Sequence, residues 1–254
     1  MSYKLGKLPA RPGAVKLKFG TFFDITSMPI PPPRFGHELI GHDWGMLGND
    51  KVGDCVWAGA AHEHMVWSHM GSRGPGVDFT AKNVLSDYSA ATGYDGTQAT
   101  DSGTDMSDAA AYRRRTGIID SNGNRHKIDA YVALQPGDPK DLAYATYYTG
   151  AAGIGIRFPE TADRQFEKKM PWDYTSSNAH IKGGHYIPCI GRNSAGNFLV
   201  ISWGRIQAMT PAFYRAYSDE ALGYLSIEIL RDKLSPEGFA ADALISFLRS
   251  LNSA

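Results

Sequence analysis

Cys55 is the residue with the clearest chemical potential, because it stands where a turn gives way to a helix. Residues 49–64 read NDKVGDCVWAGAAHEH, with a glycine-containing turn before the cysteine and helical spacing of Val56, Ala60 and Trp67 around and after it. A thiol at a helix N-terminus lies near the positive end of the helix dipole, which favours the thiolate. Cys55 is therefore a candidate nucleophile for attack on a carbonyl carbon, and such a nucleophile needs a base.

His185 is the residue that fits the role of base. It lies in residues 183–191, GGHYIPCIG, and a second strand-like segment follows at residues 196–204, GNFLVISWG. Together with the intervening residues 101–118, these segments resemble the Cys and His blocks of the papain-like cysteine peptidases. The resemblance spans about residues 49–230. It implies an α+β fold, in which a helical half with the cysteine helix packs against an antiparallel sheet half.

The same resemblance implies a thiolate–imidazolium pair, in which Cys55 attacks a carbonyl and His185 carries the proton. Asn49 stands where the family has a glutamine that stabilises the oxyanion, and the backbone N–H of Cys55 would be the second donor. Ile201 stands where the family has the asparagine that orients the histidine, and isoleucine cannot accept an imidazole N–H. We therefore expect weakened or lost amide hydrolysis. Three polar residues are candidates to replace the asparagine: Asp173, Asn178 and Asn193.

Asp54 and Cys189 are the two other residues that bear on this chemistry. An acid beside the thiol raises the pKa of Cys55, although the simpler role of Asp54 is to cap the helix. Cys189 lies four residues after His185 and is expected to be a small buried hydrophobe. A disulfide between the two cysteines stays open, but two cysteines are too few for a disulfide scaffold.

The cysteine helix also carries His62, Glu63, His64 and His69, which raises the question of a metal site. A zincin helix needs the pattern His-Glu-x-x-His, and Val66 stands where the second histidine would fall. Cysteines and histidines are otherwise scattered, so we predict no metal site and no other cofactor.

The composition of the chain excludes several classes of protein. At 254 residues and 43% hydrophobic content, it is large enough for one substantial core. Its 26 basic residues equal its 26 acidic residues, so no overall field would draw it to nucleic acid or an anionic membrane. No stretch approaches the roughly 20 apolar residues of a membrane helix, and no signal peptide is recognisable. We expect a cytoplasmic protein, or a virion protein if a bacteriophage encodes it.

Residues 1–36 differ in composition from residues 37–254, which are expected to form the papain-like domain. They are basic and hold six of the 14 prolines, so they are predicted to be an extended arm anchored by phenylalanines. The arm is too short and too rich in proline to resemble the long helical inhibitory propeptide of secreted relatives. Activation by propeptide removal is therefore not implied.

Local signals predict the other elements in order. Thr80, Asp105 and Asp138 are placed to cap helices, and residues 113–115 are three arginines expected on a solvated helix face. Strands are predicted at residues 128–134, 152–158, 185–191, 197–203 and 222–230. An amphipathic helix is predicted at about residues 235–251.

Two functions remain open at this stage. The first is a cysteine peptidase or amidase that acts on a peptide or related amide substrate. The second is a catalytically inactive papain-fold protein of a bacteriophage virion, a capsid or tail accessory that binds protein neighbours, or further copies of itself, through residues 1–36.

Overall fold

The computed structural model describes residues 3–22, 25–26, 28–36, 43–71 and 76–229. The helices are α1 (Phe19–Phe22), α2 (Cys55–Gly71), α3 (Ala81–Thr92), α4 (Met106–Arg115), α5 (Pro139–Thr149), α6 (Glu160–Glu167) and α7 (Pro211–Tyr217). The strands are β1 (Phe35–Gly36), β2 (Ile118–Ile119), β3 (Arg125–His126), β4 (Ala130–Ala133), β5 (Ala152–Pro159), β6 (Ile181–Arg192), β7 (Phe198–Ser202), β8 (Arg205–Met209) and β9 (Ser218–Leu225). Short 3₁₀ turns cover Gln98–Thr100 and Ile227–Ile229. The predicted α+β class is confirmed.

A seven-stranded antiparallel sheet forms the second half of the domain. Its order is β4-β9-β5-β6-β7-β8, and β1 pairs with the end of β6. Successive side chains of a strand point to opposite faces, and β6 shows the consequence. Tyr186 and Ile190 pack with helices α2 to α4, whereas Ile187 and Cys189 pack with helices α5 to α7. The sheet is therefore buried on both faces, and α2 lies against the face that bears Tyr186.

The predicted helix caps are confirmed. Thr80, Asp105 and Asp138 each accept a hydrogen bond from a backbone N–H in the first turn of α3, α4 and α5. An N-cap of this kind stabilises a helix by about 1 kcal/mol. Local chemistry thus determines where these three helices begin.

Two predictions about local elements are wrong in part. The arginines of residues 113–115 were expected on a solvated face, but Arg113 is 1% exposed because its guanidinium pairs with the buried carboxylate of Glu63. The last predicted strand, residues 222–230, begins earlier as β9 and gives way to the 3₁₀ turn at Ile227–Ile229. The helix predicted at about residues 235–251 lies outside the described residues.

The described part of residues 1–36 packs against its own domain. Phe19 and Phe35 are buried in the core, and β1 pairs with β6. The side chain of Arg192 donates hydrogen bonds to the backbone carbonyls of Pro32 and Pro33. The prolines therefore hold an extended chain on the surface of the sheet half. Among the described residues, no helix is both long enough and apolar enough to cross a membrane.

Candidate active site

The N-terminus of α2 positions Cys55. The backbone carbonyl of Asp54 accepts the first helical hydrogen bonds, from Trp57 and Ala58, so the helix begins at the cysteine as predicted. The helix lies very close to β6 at Gly59, where a Cβ atom would overlap the ring of Tyr186. This close approach places the start of α2 beside the strand that carries His185.

His185 is held on β6 by two neighbours. Its Nε2 atom lies 2.9 Å from the hydroxyl of Ser202, and its ring stacks on Trp203 with 4.2 Å between ring centroids. A serine hydroxyl can accept the Nε2–H bond, and that tautomer leaves Nδ1 without a proton. Nδ1 is buried and has no hydrogen-bond partner among the described residues. The imidazole is thus oriented with one nitrogen held and the other available as a base.

Cys55 and His185 line the same small cavity. Its volume is about 10 Å³, and Asn49, Ile201 and Ser202 also line it. A cavity of this size holds at most about one water molecule. The structure therefore brings the three predicted site residues to one place and leaves no room there for a substrate.

The imidazole contact made by Ser202 was missed by the sequence analysis. Ile201 lines the cavity but has no side-chain atom that could accept the imidazole N–H. The next residue, Ser202, contacts the imidazole with its hydroxyl. The available signal was the Ser-Trp-Gly sequence that follows Ile201. The three candidates proposed from sequence lie elsewhere: Asp173 and Asn178 are exposed, and Asn193 accepts hydrogen bonds within its own turn.

Asn49 lies in the turn before α2 and is 2% exposed. Its side-chain amide donates a hydrogen bond to the backbone carbonyl of Val52, at 3.0 Å. This bond fixes the side chain in the cavity wall, beside the carboxyl group of Asp54. The position suits an oxyanion donor next to the backbone N–H of Cys55.

Burial keeps both members of the Cys55–His185 pair uncharged in this state. It raises the pKa of the Cys55 thiol to about 12, with the nearby Asp54 adding to the shift and the backbone N–H groups of Tyr186 and Gly6 opposing it. Burial lowers the pKa of His185 to about 3. Both charged forms lose their hydration here, so the resting pair is thiol and neutral imidazole.

Burial also raises the pKa values of Asp54 and Cys189. Burial raises the pKa of Asp54 well above its usual range, which favours the uncharged acid beside the thiol. Its carbonyl, and not its carboxyl group, makes the hydrogen bonds that begin the helix. Cys189 is a free, fully buried thiol whose pKa is raised to about 11 by burial, and Cys55 is also free.

The first described residues of the chain cover this site. We call Tyr3–Leu8 the N-terminal strap. The N–H groups of Gly6 and Lys7 donate to the carbonyl of Gly184, the residue before His185, at 3.2 and 3.1 Å. On the other side, Thr104 donates to the carbonyl of Gly6, at 2.7 Å, and accepts from the N–H of Leu8. The strap therefore bridges the helical half and the sheet half.

Aromatic and backbone contacts also hold the strap in place. Tyr3 stacks on Trp203 with 4.6 Å between centroids, and the indole N–H of Trp203 donates to the carbonyl of Lys4. Gly6 lies so close to Gly53 that a Cβ atom at Gly6 would overlap the carbonyl oxygen of Gly53. With the strap in place, Cys55 is 2% exposed and His185 is 1% exposed.

The sequence analysis makes one inference about the arm, that its length and composition do not imply activation by propeptide removal. That inference compared the arm with a long helical propeptide. The structure adds that the six residues of the strap lie beside Cys55 without forming a helix, because both halves of the domain supply backbone partners to them.

A second cluster of ionisable groups lies toward the other end of α2. His64, His126 and Glu228 each offer one ligand-type atom, and these atoms lie within 4.8 Å of one another. Glu228 pairs with Nδ1 of His126 at 2.6 Å and with Nδ1 of His64 at 2.9 Å, and Asp120 pairs with Nε2 of His126. Burial would raise the pKa of Glu228, but the two histidine hydrogen bonds lower it to about 2. Among the described residues, these three side chains could hold a divalent cation. Both histidines are already hydrogen-bonded to Glu228.

Comparison with solved structures identifies cysteine proteases that share this fold. Xylellain, a cysteine protease from Xylella fastidiosa, matches with a TM-score of 0.61 and 11% identity over 89% of this chain and 98% of that one. ProCathepsin B S9 from Trypanosoma congolense matches at 0.59 and 12% identity, over 88% and 86% of the two chains. Digestive procathepsin L 3 of Tenebrio molitor larval midgut matches at 0.53 and 14% identity, over 79% and 71%.

A scan against protein-family models finds no match, and no curated protein matches the sequence. The structural likeness establishes the fold. The chain is a papain-like fold protein, with the cysteine helix and the histidine strand where the resemblance in sequence placed them.

Proposed function

We propose that this protein is a papain-like cysteine peptidase that is latent while the N-terminal strap occupies its cleft. The observation that carries the proposal is the orientation of His185, whose Nε2 is held by Ser202 while Nδ1 faces no partner in the cavity that Cys55 also lines. A buried imidazole with one unsatisfied nitrogen is costly for a purely structural residue. Its position beside a thiol at a helix N-terminus supports a role as base.

The reaction follows from these positions. His185 Nδ1 takes the thiol proton, and the Cys55 sulfur attacks the carbonyl carbon of a peptide bond. The amide of Asn49 and the N–H of Cys55 stabilise the oxyanion of the tetrahedral intermediate. His185 then gives its proton to the leaving amine, and water hydrolyses the acyl-enzyme to free the acid and the thiol.

Ser202 takes the orienting role that an asparagine has in the family. The hydroxyl of a serine rotates more freely than the side-chain amide of an asparagine, so it holds the imidazole less firmly. Stacking on Trp203 supplies a second constraint on the ring. We therefore expect amide hydrolysis that is weaker than with an asparagine at this position.

The strap blocks the cleft without offering itself as a substrate. The carbonyl of Gly6 accepts its hydrogen bond from Thr104 and not from the oxyanion donors near Cys55. Once the strap leaves, Cys55 and His185 regain water, and the burial that holds both neutral is relieved. Displacement of the strap is therefore the activating step.

The alternative function, an inactive protein of a virion, draws no support from the described part of the arm. Phe19 and Phe35 are buried in its own domain, so they are not available to neighbours in this state. An inert site after strap displacement would favour that alternative.

The test is to expel the strap from the full-length protein with Gly6→Val, because any side chain at Gly6 would overlap Gly53. Gly20→Val is the matched control, since a Cβ there meets nothing within 4 Å. We expect Cys55 to react with iodoacetamide about 100-fold faster in Gly6→Val, because each unit by which its pKa falls raises the thiolate fraction about tenfold. Intact mass reports the alkylation, and casein cleavage reports the activity, with Cys55→Ala as the blank. Rapid alkylation without any cleavage would overturn the proposed peptidase.

A further inference from the structure

Lys7 is the most unusual residue of the N-terminal strap. Its side chain is completely buried, which is rare for lysine. The ammonium lies 2.9 and 3.0 Å from the two carboxylate oxygens of Asp219 and 3.8 Å from a carboxylate oxygen of Glu220, and it also donates to the carbonyl of Leu8. A strap that served only to plug an apolar cleft would place a leucine here, because burying an ammonium is unfavourable without a dedicated partner.

The walls around Lys7 are shaped for an occupant. A Cβ atom at Gly155 would overlap the lysine stem, and a Cβ atom at Gly184 would overlap the carbonyl of Lys7. Both glycines lie inside strands, β5 and β6, where glycine weakens a sheet. No positive φ angle explains either glycine. The space they leave is therefore explained by the side chain and backbone that fill it.

The acidic end of this space is built into the sheet and does not depend on the strap. Asp219 and Glu220 are in β9, and Glu220 is paired with Gly155 of β5 in the strand register. The Glu220 oxygen nearest Lys7 is buried and has no hydrogen-bond partner among the described residues. Both acids also border a cavity of about 550 Å³ between the arm and the sheet, so the space continues beyond the lysine ammonium.

The pocket opens next to the reacting pair. The backbone N–H of Lys7 donates to the carbonyl of Gly184, and His185 is the next residue. A peptide that takes the place of the strap would use the same backbone partners, Gly184 and Thr104. Its side chain at the position of Lys7 would then meet Asp219 and Glu220.

From this geometry we infer that Asp219 and Glu220 form a specificity pocket, and that the protein acts on peptides which place a lysine or arginine side chain in it. The inference rests on the proposed peptidase function. A basic side chain restores the ion pair that Lys7 makes in the latent state, whereas an apolar side chain leaves the buried oxygen of Asp219 without a cation. The strap is in this sense a competitor that carries the preferred side chain.

The first experiment measures binding, independently of catalysis. The synthetic peptide YKLGKL, which corresponds to Tyr3–Leu8, is added to full-length Gly6→Val protein, and protection of Cys55 from iodoacetamide gives its affinity. We expect leucine or glutamate in place of the second lysine to weaken protection at least about tenfold, and arginine to retain it. Asp219→Asn should remove the preference for a basic peptide. Glu167→Gln, at an exposed carboxylate of α6, should keep it.

The second experiment measures cleavage of a peptide library in which each position in turn is lysine, arginine, leucine or glutamate. We expect one position at which basic residues raise kcat/KM at least about tenfold, and Asp219→Asn to abolish that preference. Full-length Lys7→Ala, whose strap lacks the side chain that fills the pocket, repeats both measurements if Gly6→Val does not fold.

The outcomes separate the two proposals. Cleavage without a basic preference would overturn the pocket and leave the peptidase intact. Selective binding of the lysine peptide without cleavage of any library member would retain the pocket and overturn the peptidase. Equal protection by the lysine and leucine peptides would overturn the pocket whatever the activity.

Discussion

Lys7 and Arg113 are two buried cations in this molecule, and they differ in what holds them there. Arg113 is 1% exposed and pairs with Glu63 at 2.7 Å, beneath the ring of Tyr224, whose centroid lies 4.3 Å from the guanidinium carbon. Lys7 is equally buried and pairs with Asp219. Arg113 and Glu63 both belong to core helices, whereas Lys7 belongs to a segment near the chain terminus.

The difference shows that a buried ion pair can have two different roles. A buried ion pair is strongly favoured over either partner alone, so removing one member is destabilising wherever the pair cannot separate. Arg113 can leave Glu63 only if the domain unfolds. Lys7 can leave Asp219 when the strap lifts, and both partners then reach water. The first pair is therefore part of the structure, and the second behaves like a bound ligand.

Arg113→Met should have the largest effect on stability. It leaves the Glu63 carboxylate buried without its cation, which costs about 3–5 kcal/mol. Urea unfolding measures the change, and Arg115→Met, at an exposed position of the same helix, should stay within about 0.5 kcal/mol of the wild type. An equally small effect of Arg113→Met would mean that this pair separates without unfolding, and the contrast with Lys7 would fail.

Lys7→Met should show the opposite profile. Because the strap can leave, we expect it to lower the free energy of unfolding by no more than about 1 kcal/mol, a typical value for a single substitution. The same variant should raise the alkylation rate of Cys55 at least about tenfold, since a weaker strap exposes the thiol more often. A large loss of stability with no gain in Cys55 reactivity would place Lys7 in the same structural class as Arg113.

Ser202→Ala tests the site that the strap covers. In strap-displaced protein, kcat/KM should fall about 100-fold, the low end of what a positioned general base contributes. Ser202→Thr keeps the hydroxyl and should restore part of the activity. If the alanine variant keeps full activity and an unchanged pH profile, Trp203 alone orients the imidazole.

The smallest expected effect is the pH dependence of stability that Glu220, beside Lys7, contributes. Burial raises the pKa of Glu220 to about 7, while Lys7 opposes the shift and Asp105 and Asp219 add to it. The folded state therefore holds a proton that the unfolded chain releases near pH 4.5, and stability contributed by Glu220 falls as pH rises from about 4.5 through 7. Thermal unfolding between pH 4.5 and 8 should show a shallower decline in Glu220→Gln. A decline identical to that of the wild type would assign the pH response to other groups.

Much of the candidate site could be predicted from the sequence because its signals are local. The turn and helix start at Cys55, the glycine-rich strand at His185 and the caps at Thr80, Asp105 and Asp138 all depend on neighbours a few residues away. The fold class was predicted from the resemblance to the papain-like peptidases, which these segments carry. The assignment of Asn49 to the oxyanion site remains a prediction, although the structure places it in the cavity wall.

Ser202 could not be chosen over Ile201 without the sheet. Adjacent strand residues point to opposite faces, so a shift of one residue in register exchanges the side chain that meets His185. Strands β6 and β7 pair with an irregularity between Cys189 and Gly191, and Trp203 follows with a φ of 44°. These features depend on the paired strand, which is why the sequence alone, with Ile201 at the asparagine position, did not point to Ser202.

The sequence by itself determined the order of the elements and the positions of Cys55 and His185 on them, because helix starts, caps and strand alternation are set by local residue types. Tertiary structure decided what covers the cysteine and which groups surround Lys7. Lys7 and Asp219 are 212 positions apart, and the acidity of their pocket exists only after β9 pairs with β5 and the strap lies across Gly184. Burial and pairing at such separations arise from the packing of the whole domain, and no local pattern encodes them.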